Sequence, residues 1–546
     1  MLTPGKRIGL LIIAAVLVAV SVWQFYKYRI INKKIDKALT EKTKGLYNIR
    51  YGQIALDEAA GILHVKNVEI TPDTAVYRQM ADQKTNPPVL VTITMPALDI
   101  LGVKTPKALL NKQVEGRKIE ITQPTIEILL SHSRKDTTVY DPTRDLSKEQ
   151  LGKLLKMQVD SVSILRANVI VREMRSNMVV LKGSGISCLL SDMQIDSNAV
   201  RDSSRMLFAR DLDMTCDEMQ FPSESKRYKF QMAGLRFLGK DNTLSIGQLK
   251  VIPQLPEEEF VRSFPVQKDR YDFSFEWVRL VHISRGGLWH KRIEADSLSI
   301  GKSSFKVYRD LSRPGDTTSK VGKYPQQQLM RLPIPVNIRK MMFAETFIEY
   351  KEKNGKSDSA GKLRFFHASA ILSNVTNMKT AIARDNACTV SFKAKLLDRA
   401  PVSARLVLLL NDRRGRFSIE GNVGSIDVLR LNPLTQPMAL ARMEKGHISN
   451  LHFRISATDS ASEGRVVLLY EGLKVSLLKK DKDQNKYDKK GLASMMANIM
   501  IKNSNPANAK EPRTANVRYR RALNKSFFNV IWKTIFTGIK ETVGMK

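Results

Sequence analysis

The chain has 546 residues, of which 42% are hydrophobic and 26% charged, and its formal net charge is +35 at pH 7. This composition excludes a disordered chain and leaves room for about two to four folded domains. The 3 cysteines, Cys188, Cys216 and Cys388, are far apart in the sequence, which argues against a disulfide framework or a cysteine-based zinc site, so we expect them to be buried as small apolar residues.

The N-terminal region predicts a membrane anchor. A short tail (residues 1–7) precedes an apolar stretch, residues 8–28, in which Trp23, Tyr26 and Tyr28 are typical of an interfacial belt. A signal peptide is the alternative, but no clear cleavage site follows the apolar run. More basic residues follow the stretch than precede it, which favours a cytoplasmic location for the bulk of the chain, although long translocated domains often override this rule.

From residue 29 the sequence predicts a linker helix and a first β segment that reaches residue 100. Beyond it, short runs of alternating apolar and polar residues are separated by polar turns, as in LVTITM (residues 90–95) and FSFEW (residues 273–277). Helical periodicity is rare before residue 490. The sequence therefore predicts a mainly β protein.

An internal repeat organises this β region into unit 101–275 and unit 276–415. ALLNKQVEGRKIEITQPTIEI (residues 108–128) aligns without a gap with GLWHKRIEADSLSIGKSSFKV (residues 287–307), and VSILRANVIV (residues 162–171) aligns with MMFAETFIEY (residues 341–350). Every copy contains two apolar pairs around a small residue. That small residue is, in turn, Pro124, Ala167, Ser303 and Thr346. Repeats of this kind predict a structure built by addition of similar units.

The two apolar pairs of each copy differ in parity. In an unbroken strand Ile121 and Ile126 would lie on opposite faces of the sheet, unless a β-bulge takes up one residue. A corner between two short strands of a sandwich is the alternative, and the sequence leaves both open. With bulges, the copies predict an elongated, repetitive, curled antiparallel sheet.

The apolar face of such a sheet must pack on protein or bind something apolar. We interpret it as an apolar groove for lipid acyl chains. The candidate groove residues are Ile119, Ile121, Ile126, Ile128, Val162, Ile164, Val169, Val171, Leu298, Ile300, Phe305, Val307, Met341, Phe343, Ile348 and Tyr350.

The C-terminal region changes character. A β segment (residues 416–478) and a charged linker (residues 479–490) precede a region predicted to form amphipathic helices (residues 491–546), the first of them at Gly491–Lys502. The last helix can lie on an anionic bilayer, dock in a partner's groove or cap the open end of the sheet. Its apolar positions are Phe528, Ile531, Trp532, Ile535, Phe536 and Ile539.

Local motifs do not predict an enzyme. Ser299 and Lys302 form an SxxK sequence inside an alternating strand, and its companion motifs are missing. Asp211 and Asp213 fit the polar face of a strand, and the 7 histidines are scattered singly. We therefore expect no catalytic residues, no metal and no cofactor. The basic residues are spread through the chain without a nucleic-acid-binding module, so we expect them to face anionic membrane rather than nucleic acid.

The anchor, the long repetitive β region, LNPLTQPMALARMEKGHISNLHFRISATDSASEGRVVLLYEGLKVSLL (residues 431–478) and the ending SFFNVIWKTIFTGIKETV together resemble the AsmA-like envelope proteins of Gram-negative bacteria. That group belongs to the bridge-like lipid transfer proteins. The resemblance implies a single-pass inner-membrane protein with a periplasmic β region that transfers phospholipid for outer-membrane homeostasis and envelope assembly, with an envelope or outer-membrane protein as a further partner. The alternative is a non-enzymatic envelope scaffold that recruits a partner through its C-terminal helix.

Overall fold

The computed structural model describes residues 45–57, 59–83, 85–102, 113–131, 156–196, 199, 202, 205–289, 291–355, 357, 359–480, 494–498, 501–506 and 511–545. The predicted tail and anchor (residues 1–28), residues 29–44 of the linker segment and residues 481–490 of the charged linker lie outside this part. The described chain divides into two units. Unit 1 ends at Gly247 and also includes the segment that begins at Ser284, and unit 2 comprises Gln248–Ile283 and the chain from Lys291 onward.

Strands dominate both units, which confirms the prediction of a mainly β protein. The strands are β1 Tyr47–Arg50, β2 Gln53–Asp57, β3 Ile62–Pro72, β4 Val89–Leu101, β5 Gln113–Thr122, β6 Thr125–Leu130, β7 Lys156–Glu173, β8 Val179–Ile195, β9 Ala209–Pro222, β10 Tyr228–Leu238, β11 Thr243–Pro253, β12 Arg270–Val281, β13 Ile293–Ile300, β14 Ser303–Asp310, β15 Val336–Lys353, β16 Ala360–Thr376, β17 Ala387–Leu396, β18 Ala400–Leu409, β19 Phe417–Val423, β20 Ile426–Asp427, β21 Ala441–Ala457, β22 Ala461–Lys480, β23 Ser494–Asn498 and β24 Ala515–Arg520.

The helices are few and short. They are α1 Thr74–Asp82, α2 Glu257–Arg262, α3 Arg285–Trp289, α4 Pro325–Met330, α5 Lys379–Ile382, α6 Asn432–Ala439 and α7 Phe527–Thr542, with a 3₁₀ turn at Val428–Leu431. Across the described ranges, no helix has the length and apolar character needed to cross a membrane.

Unit 1 contains a sheet whose order follows from the hydrogen-bonded pairs. β1 and β2 pair with β3, which pairs with β4. β5 and β6 lie end to end between β4 on one side and β7 on the other, and β8, β9 and β10 follow in sequence. The residues that face one side of this sheet pack into a single hydrophobic cluster.

Unit 2 repeats this arrangement and extends it. β13 and β14 lie end to end between β12 and β15, and β16 to β19 continue antiparallel in sequence order. β21 and β22 follow β19, with β20 on β21 and with β23 and β24 on β22.

The prediction of an antiparallel sheet is wrong at one place in each unit, where neighbouring strands pair in parallel. β5 and β6 run parallel to β7, and β13 and β14 run parallel to β15. A parallel pair requires a connection that returns along the strands, because a tight hairpin can only reverse the chain. In unit 2 the segment 311–335, which contains α4, makes this return between β14 and β15. The sheet is therefore mixed and curled.

The break between β5 and β6 lies within one line of strands and is not a corner between two sheets. The pairing resumes beyond it in the same register, since Ala97 pairs with Thr122 and Thr94 with Thr125, so no extra residue is taken up there as a bulge would require. β5 and β6 share both neighbouring strands, and Ile121 and Ile126 are both buried on the same side. Gln123 at the break has a φ of 46°, and the equivalent positions Arg166 and Glu345 have φ of 52° and 47°. The pairing register shifts at the same places in β7 and β15. A left-handed residue in a strand turns its direction and adds twist, which keeps both apolar pairs on one face.

The prediction of a helix at Gly491–Lys502 is wrong for the described part of that range, since residues 491–493 and 499–500 lie outside it. Ser494–Asn498 forms strand β23, which pairs antiparallel with Ser476–Lys480 at the end of β22. The edge of β22 offers unpaired backbone groups in this stretch, and a short segment gains more hydrogen bonds there than from a helix of three turns. The last predicted helix is confirmed as α7, whose first turn is capped by the Ser526 hydroxyl, which accepts from the Asn529 N–H.

Candidate functional site

The candidate groove residues of unit 1 lie in its closed core. Each of them is at most 5% exposed, and all belong to the single hydrophobic cluster of that unit. They are Ile119, Ile121, Ile126, Ile128, Val162, Ile164, Val169 and Val171. The apolar face of unit 1 is therefore filled, and these residues form an ordinary core rather than an open groove.

The aligned residues of unit 2 differ sharply. Only Ile300 is buried, at 8% exposure, whereas the others are half-buried. The half-buried residues are Leu298, Phe305, Val307, Met341, Phe343, Ile348 and Tyr350. The same sequence frame thus gives a closed face in unit 1 and a partly open one in unit 2.

Strand register joins these residues to apolar side chains of neighbouring strands. Phe305 lies opposite Phe273 of β12 and beside Ile348 of β15, which lies opposite Phe365 of β16. The alignment continues from Phe392 of β17 into β18. We name this set the unit 2 apolar face; it consists of Phe273, Phe275, Leu298, Ile300, Phe305, Val307, Met341, Phe343, Ile348, Tyr350, Phe365, Leu372, Val390, Phe392, Ala404 and Leu406.

Aromatic rings form the middle of this face. The ring centroid of Phe305 lies 5.2 Å from that of Phe273, 5.2 Å from that of Phe275 and 6.2 Å from that of Phe343. Phe365 and Phe392 continue the row at 6.1 Å. Phenylalanine side chains offer large apolar area in offset and edge contacts, so this row presents a smooth hydrocarbon surface to whatever covers it.

The opposite side of the same strands carries exposed charges. Lys306, Lys393 and Arg405 alternate with the residues of the unit 2 apolar face and are exposed. This side also holds one aromatic pair, Phe347 and Phe366, with centroids 5.2 Å apart. The alternation fixes which side of the sheet is apolar, since successive strand residues point to opposite faces.

A buried tyrosine closes the apolar face on its C-terminal side. Tyr324, at the start of α4, has no exposed surface, and its ring centroid lies 5.6 Å from that of Phe417 and 5.2 Å from that of Phe527. The Tyr324 hydroxyl donates to the Thr458 carbonyl at 3.0 Å, and the Arg521 guanidinium lies 4.5 Å from the ring centroid. Burial raises the pKa of Tyr324 to about 12, against the opposing effect of Arg521. The chain itself thus fills the apolar face where β19 to β24 begin.

Helix α7 divides the six predicted helix residues into two groups. Ile531 and Ile535 are buried against the sheet, and Ile539 packs at the edge of the same cluster, as the capping alternative predicts. Phe528, Trp532 and Phe536 are exposed by 73%, 51% and 37%. The apolar side of the helix is therefore wider than its contact with the sheet, and three of its six predicted members are exposed.

Sequence reasoning missed residues that complete the buried side of α7. The Thr534 hydroxyl is 2.6 Å from the Ser462 hydroxyl in a buried contact, and a side chain at Gly538 would meet Val466 at 2.4 Å. It also missed Phe273, Phe275, Phe365, Phe392 and Tyr324. For Phe273 and Phe275 a signal existed, since FSFEW alternates as a strand with one aromatic face; Tyr324 lies in a connecting segment without such a pattern.

Ser299, Lys302, Asp211 and Asp213 do not assemble a reaction centre. Ser299 lies near the end of β13, and Lys302 lies in the break between β13 and β14. Within the described ranges, no group of three or more His, Cys, Asp or Glu side chains is placed to hold a metal ion.

Comparison of the chain with known proteins does not assign it to a family. Neither a protein-family model nor a curated protein sequence matches the chain.

Proposed function

We propose that the unit 2 apolar face binds the acyl chains of phospholipid, and that the chain is a membrane-anchored envelope protein of the AsmA-like kind that takes part in phospholipid transfer. The observation that supports this proposal is the contrast between aligned residues. Ile126 is 5% exposed while its counterpart Phe305 is half-buried, and Val171 is 1% exposed while its counterpart Tyr350 is half-buried.

Hydrocarbon is the ligand that such a face fits best. Exposed phenylalanine surface is unfavourable in water, and covering it stabilises the protein by about 25 cal/mol per Å² of apolar area. The phospholipid is stabilised as well. Transfer of a two-chain lipid of about thirty methylenes through water without a protein costs roughly 24 kcal/mol. An apolar surface beside a membrane lowers that barrier.

The proposed location within the cell rests on the predicted anchor and on the resemblance. The apolar stretch 8–28 would anchor the chain in the inner membrane, and the β region would lie in the periplasm. Transfer along the face would stop at Tyr324 and α7, where the chain's own side chains fill it. We therefore propose that lipid enters and leaves unit 2 at other places along the face, or passes to a partner protein of the envelope or outer membrane.

A second function is favoured by one observation. The face of unit 1 is filled by its own side chains, which is what an envelope scaffold requires of its β units. In that alternative, unit 2 is covered by a partner protein and not by lipid.

The test is lipid retention by the full chain. We expect protein extracted from membranes in mild detergent to carry phospholipid in native mass spectrometry. Phe305→Asp puts a carboxylate on the apolar face and should remove the lipid, while Ser304→Asp, the next residue on the opposite side of β14, should retain it. Circular dichroism of both variants checks the fold.

The two functions give different results. Lipid bound to the wild type and to Ser304→Asp but lost from Phe305→Asp supports lipid binding. A wild-type chain that carries no lipid and co-purifies with a protein partner supports the scaffold, and a Phe305→Asp variant that keeps its lipid contradicts the proposed site.

A further inference from the structure

A row of exposed aromatic side chains follows α7 on the side that faces away from the sheet. Phe528, Trp532 and Phe536 recur at every fourth residue and are exposed by 73%, 51% and 37%. The rings of Trp532 and Phe536 are stacked with their centroids 5.6 Å apart. We name these three residues the aromatic stripe. Large aromatic residues in a row at this exposure mark a surface that contacts something other than water.

The rest of the helix holds this stripe in a fixed orientation. The opposite side of α7 is buried against β22 and β24, where Val530 has no exposed surface and Gly538 allows close approach to Val466. Ser526 caps the first turn. The stripe is therefore a rigid feature of unit 2 and needs no local folding to be presented.

Two further exposed apolar residues, Val321 and Leu523, belong to segments that are joined by hydrogen bonds. The Lys320 N–H donates to the Leu523 carbonyl at 2.7 Å, and the Arg521 guanidinium donates to the Lys320 carbonyl at 3.0 Å. These bonds hold the turn that contains Val321 beside Leu523. Val321 is 41% exposed and Leu523 is 50% exposed. Segments distant in sequence thus present apolar side chains together.

The stretch of sequence that contains α7 carries charge of one sign, although Arg518 pairs with Glu463 of β22 and Arg521 is buried. From Pro512 to Lys540 the sequence contains no aspartate or glutamate. The Lys533 ammonium lies 6.0 Å from the centroid of the Phe536 ring, beside the stripe. The basic residues of this stretch are Arg513, Arg518, Arg520, Arg521, Lys525, Lys533 and Lys540.

We propose that the aromatic stripe and its lysines dock unit 2 on the surface of an anionic phospholipid bilayer. Tryptophan and phenylalanine gain free energy at the boundary between headgroups and acyl chains, while lysines reach the phosphates. The outer side of α7 is a row of exposed aromatic side chains with Lys533 beside it, which suits a planar, negatively charged partner. Docking by this helix does not require acyl chains on the unit 2 apolar face, so the two proposals can fail separately.

The test uses Trp532 as its own reporter in the full chain. With Trp23, Trp277 and Trp289 each changed to Phe, only Trp532 fluoresces. Vesicles of phosphatidylcholine and phosphatidylglycerol with brominated acyl chains should shift its emission to the blue and quench it, and vesicles of phosphatidylcholine alone should do so weakly. Lys525→Gln and Lys533→Gln should each weaken the interaction with anionic vesicles about fivefold, and added salt should weaken it further.

The matched control is a chain in which Trp277 is the only tryptophan. Trp277 is 76% exposed on β12 and is therefore more accessible than Trp532, but it lies outside the stripe. We expect its emission to stay unchanged with the same vesicles. Phe528→Ser with Phe536→Ser in the Trp532 reporter should abolish quenching while circular dichroism remains that of the parent.

Three results would overturn the proposal. Trp532 could stay unquenched by anionic vesicles, or the Trp277 reporter could be quenched equally, which would indicate adsorption of the whole chain. A blue shift of Trp532 on addition of an acidic polypeptide, without a response to vesicles, would assign the surface to an acidic protein partner.

Discussion

Phe305 and Ile126 occupy aligned positions of the repeat, and the structure predicts that truncating them has different consequences. Ile126 is 5% exposed within the closed cluster of unit 1. Removal of a fully buried aliphatic side chain to alanine costs about 2–5 kcal/mol of the free energy of unfolding. Ile126→Ala should therefore destabilise unit 1 by about 3 kcal/mol, with or without lipid.

Phe305 is half-buried, so its contribution to stability is smaller and its contribution to ligand binding is larger. A fully buried Phe→Ala change costs about 3–5 kcal/mol, and half of that burial corresponds to about 2 kcal/mol. The exposed part of Phe305 is at most about a third of its surface, of order 50 Å², which is about 1 kcal/mol of apolar area left for an acyl chain to cover. Phe305→Ala should then weaken phospholipid binding about fivefold, since each factor of ten corresponds to about 1.4 kcal/mol.

Hydrogen exchange measured peptide by peptide, with and without phospholipid, separates the two effects. Bound lipid should slow exchange in β12 and in β14 to β17 of the wild type and should do so less in Phe305→Ala, while β5 to β7 should respond to Ile126→Ala alone. Equal destabilisation by both variants, with no effect of lipid on unit 2, would refute the assignment of an open apolar face.

Other predictions concern the strand break, the tyrosines and the thiols. Thr346→Val should remove the buried 2.8 Å hydrogen bond between the Ser303 and Thr346 hydroxyls and destabilise unit 2 by about 1–3 kcal/mol, less when combined with Ser303→Ala, as denaturant melts can measure. Burial raises the pKa of Tyr308 and of Tyr324 to about 12. Their contribution to the stability of unit 2 is therefore complete below pH 10 and should fall as the pH rises from about 10 to about 12. Tyrosinate absorbance should appear over the same pH range. Burial also raises the pKa of Cys188 to about 12 and that of Cys388 to about 11, so both thiols should resist alkylation at neutral pH in the native chain and react after unfolding; rapid labelling of the folded protein would contradict their burial.

Strand alternation and the internal repeat predicted most of the strands and the mainly β fold. The frames around Pro124 and Thr346 predicted either a bulge or a corner, and the left-handed φ at Gln123 and Glu345 instead keeps both apolar pairs of one line of strands on the same face. The parallel pairing of β14 with β15 was not predictable in the same way. Local patterning sets which face of a strand is apolar, whereas the direction of the next strand depends on where a long connection such as residues 311–335 runs.

The open and closed faces were indistinguishable by hydrophobic pattern, because both copies satisfy the same frame. Burial depends on what packs against the face. Helix α7 shows why the sequence alone does not predict it. Ile531 and Trp532 are adjacent apolar residues of one helix, but only Ile531 lies towards β22. When the apolar side of a helix is wider than its contact with the sheet, the outermost apolar residues stay exposed. The sequence does not show where that contact ends.

The residue types at the aligned positions nevertheless carry a physical difference. In unit 1 every one of these residues is isoleucine or valine, whereas unit 2 has Leu298, Phe305, Met341, Phe343 and Tyr350 at positions where unit 1 has β-branched residues. β-Branched side chains have few rotamers and fill a closed core with little entropy cost. Methionine is flexible and adapts to variable contacts, whereas phenylalanine and tyrosine offer large apolar area in few torsions. Unit 2 therefore carries side chains other than the stiff β-branched ones at five of the eight aligned positions, a difference that the proposed binding of flexible hydrocarbon would explain and a permanently filled core would not require.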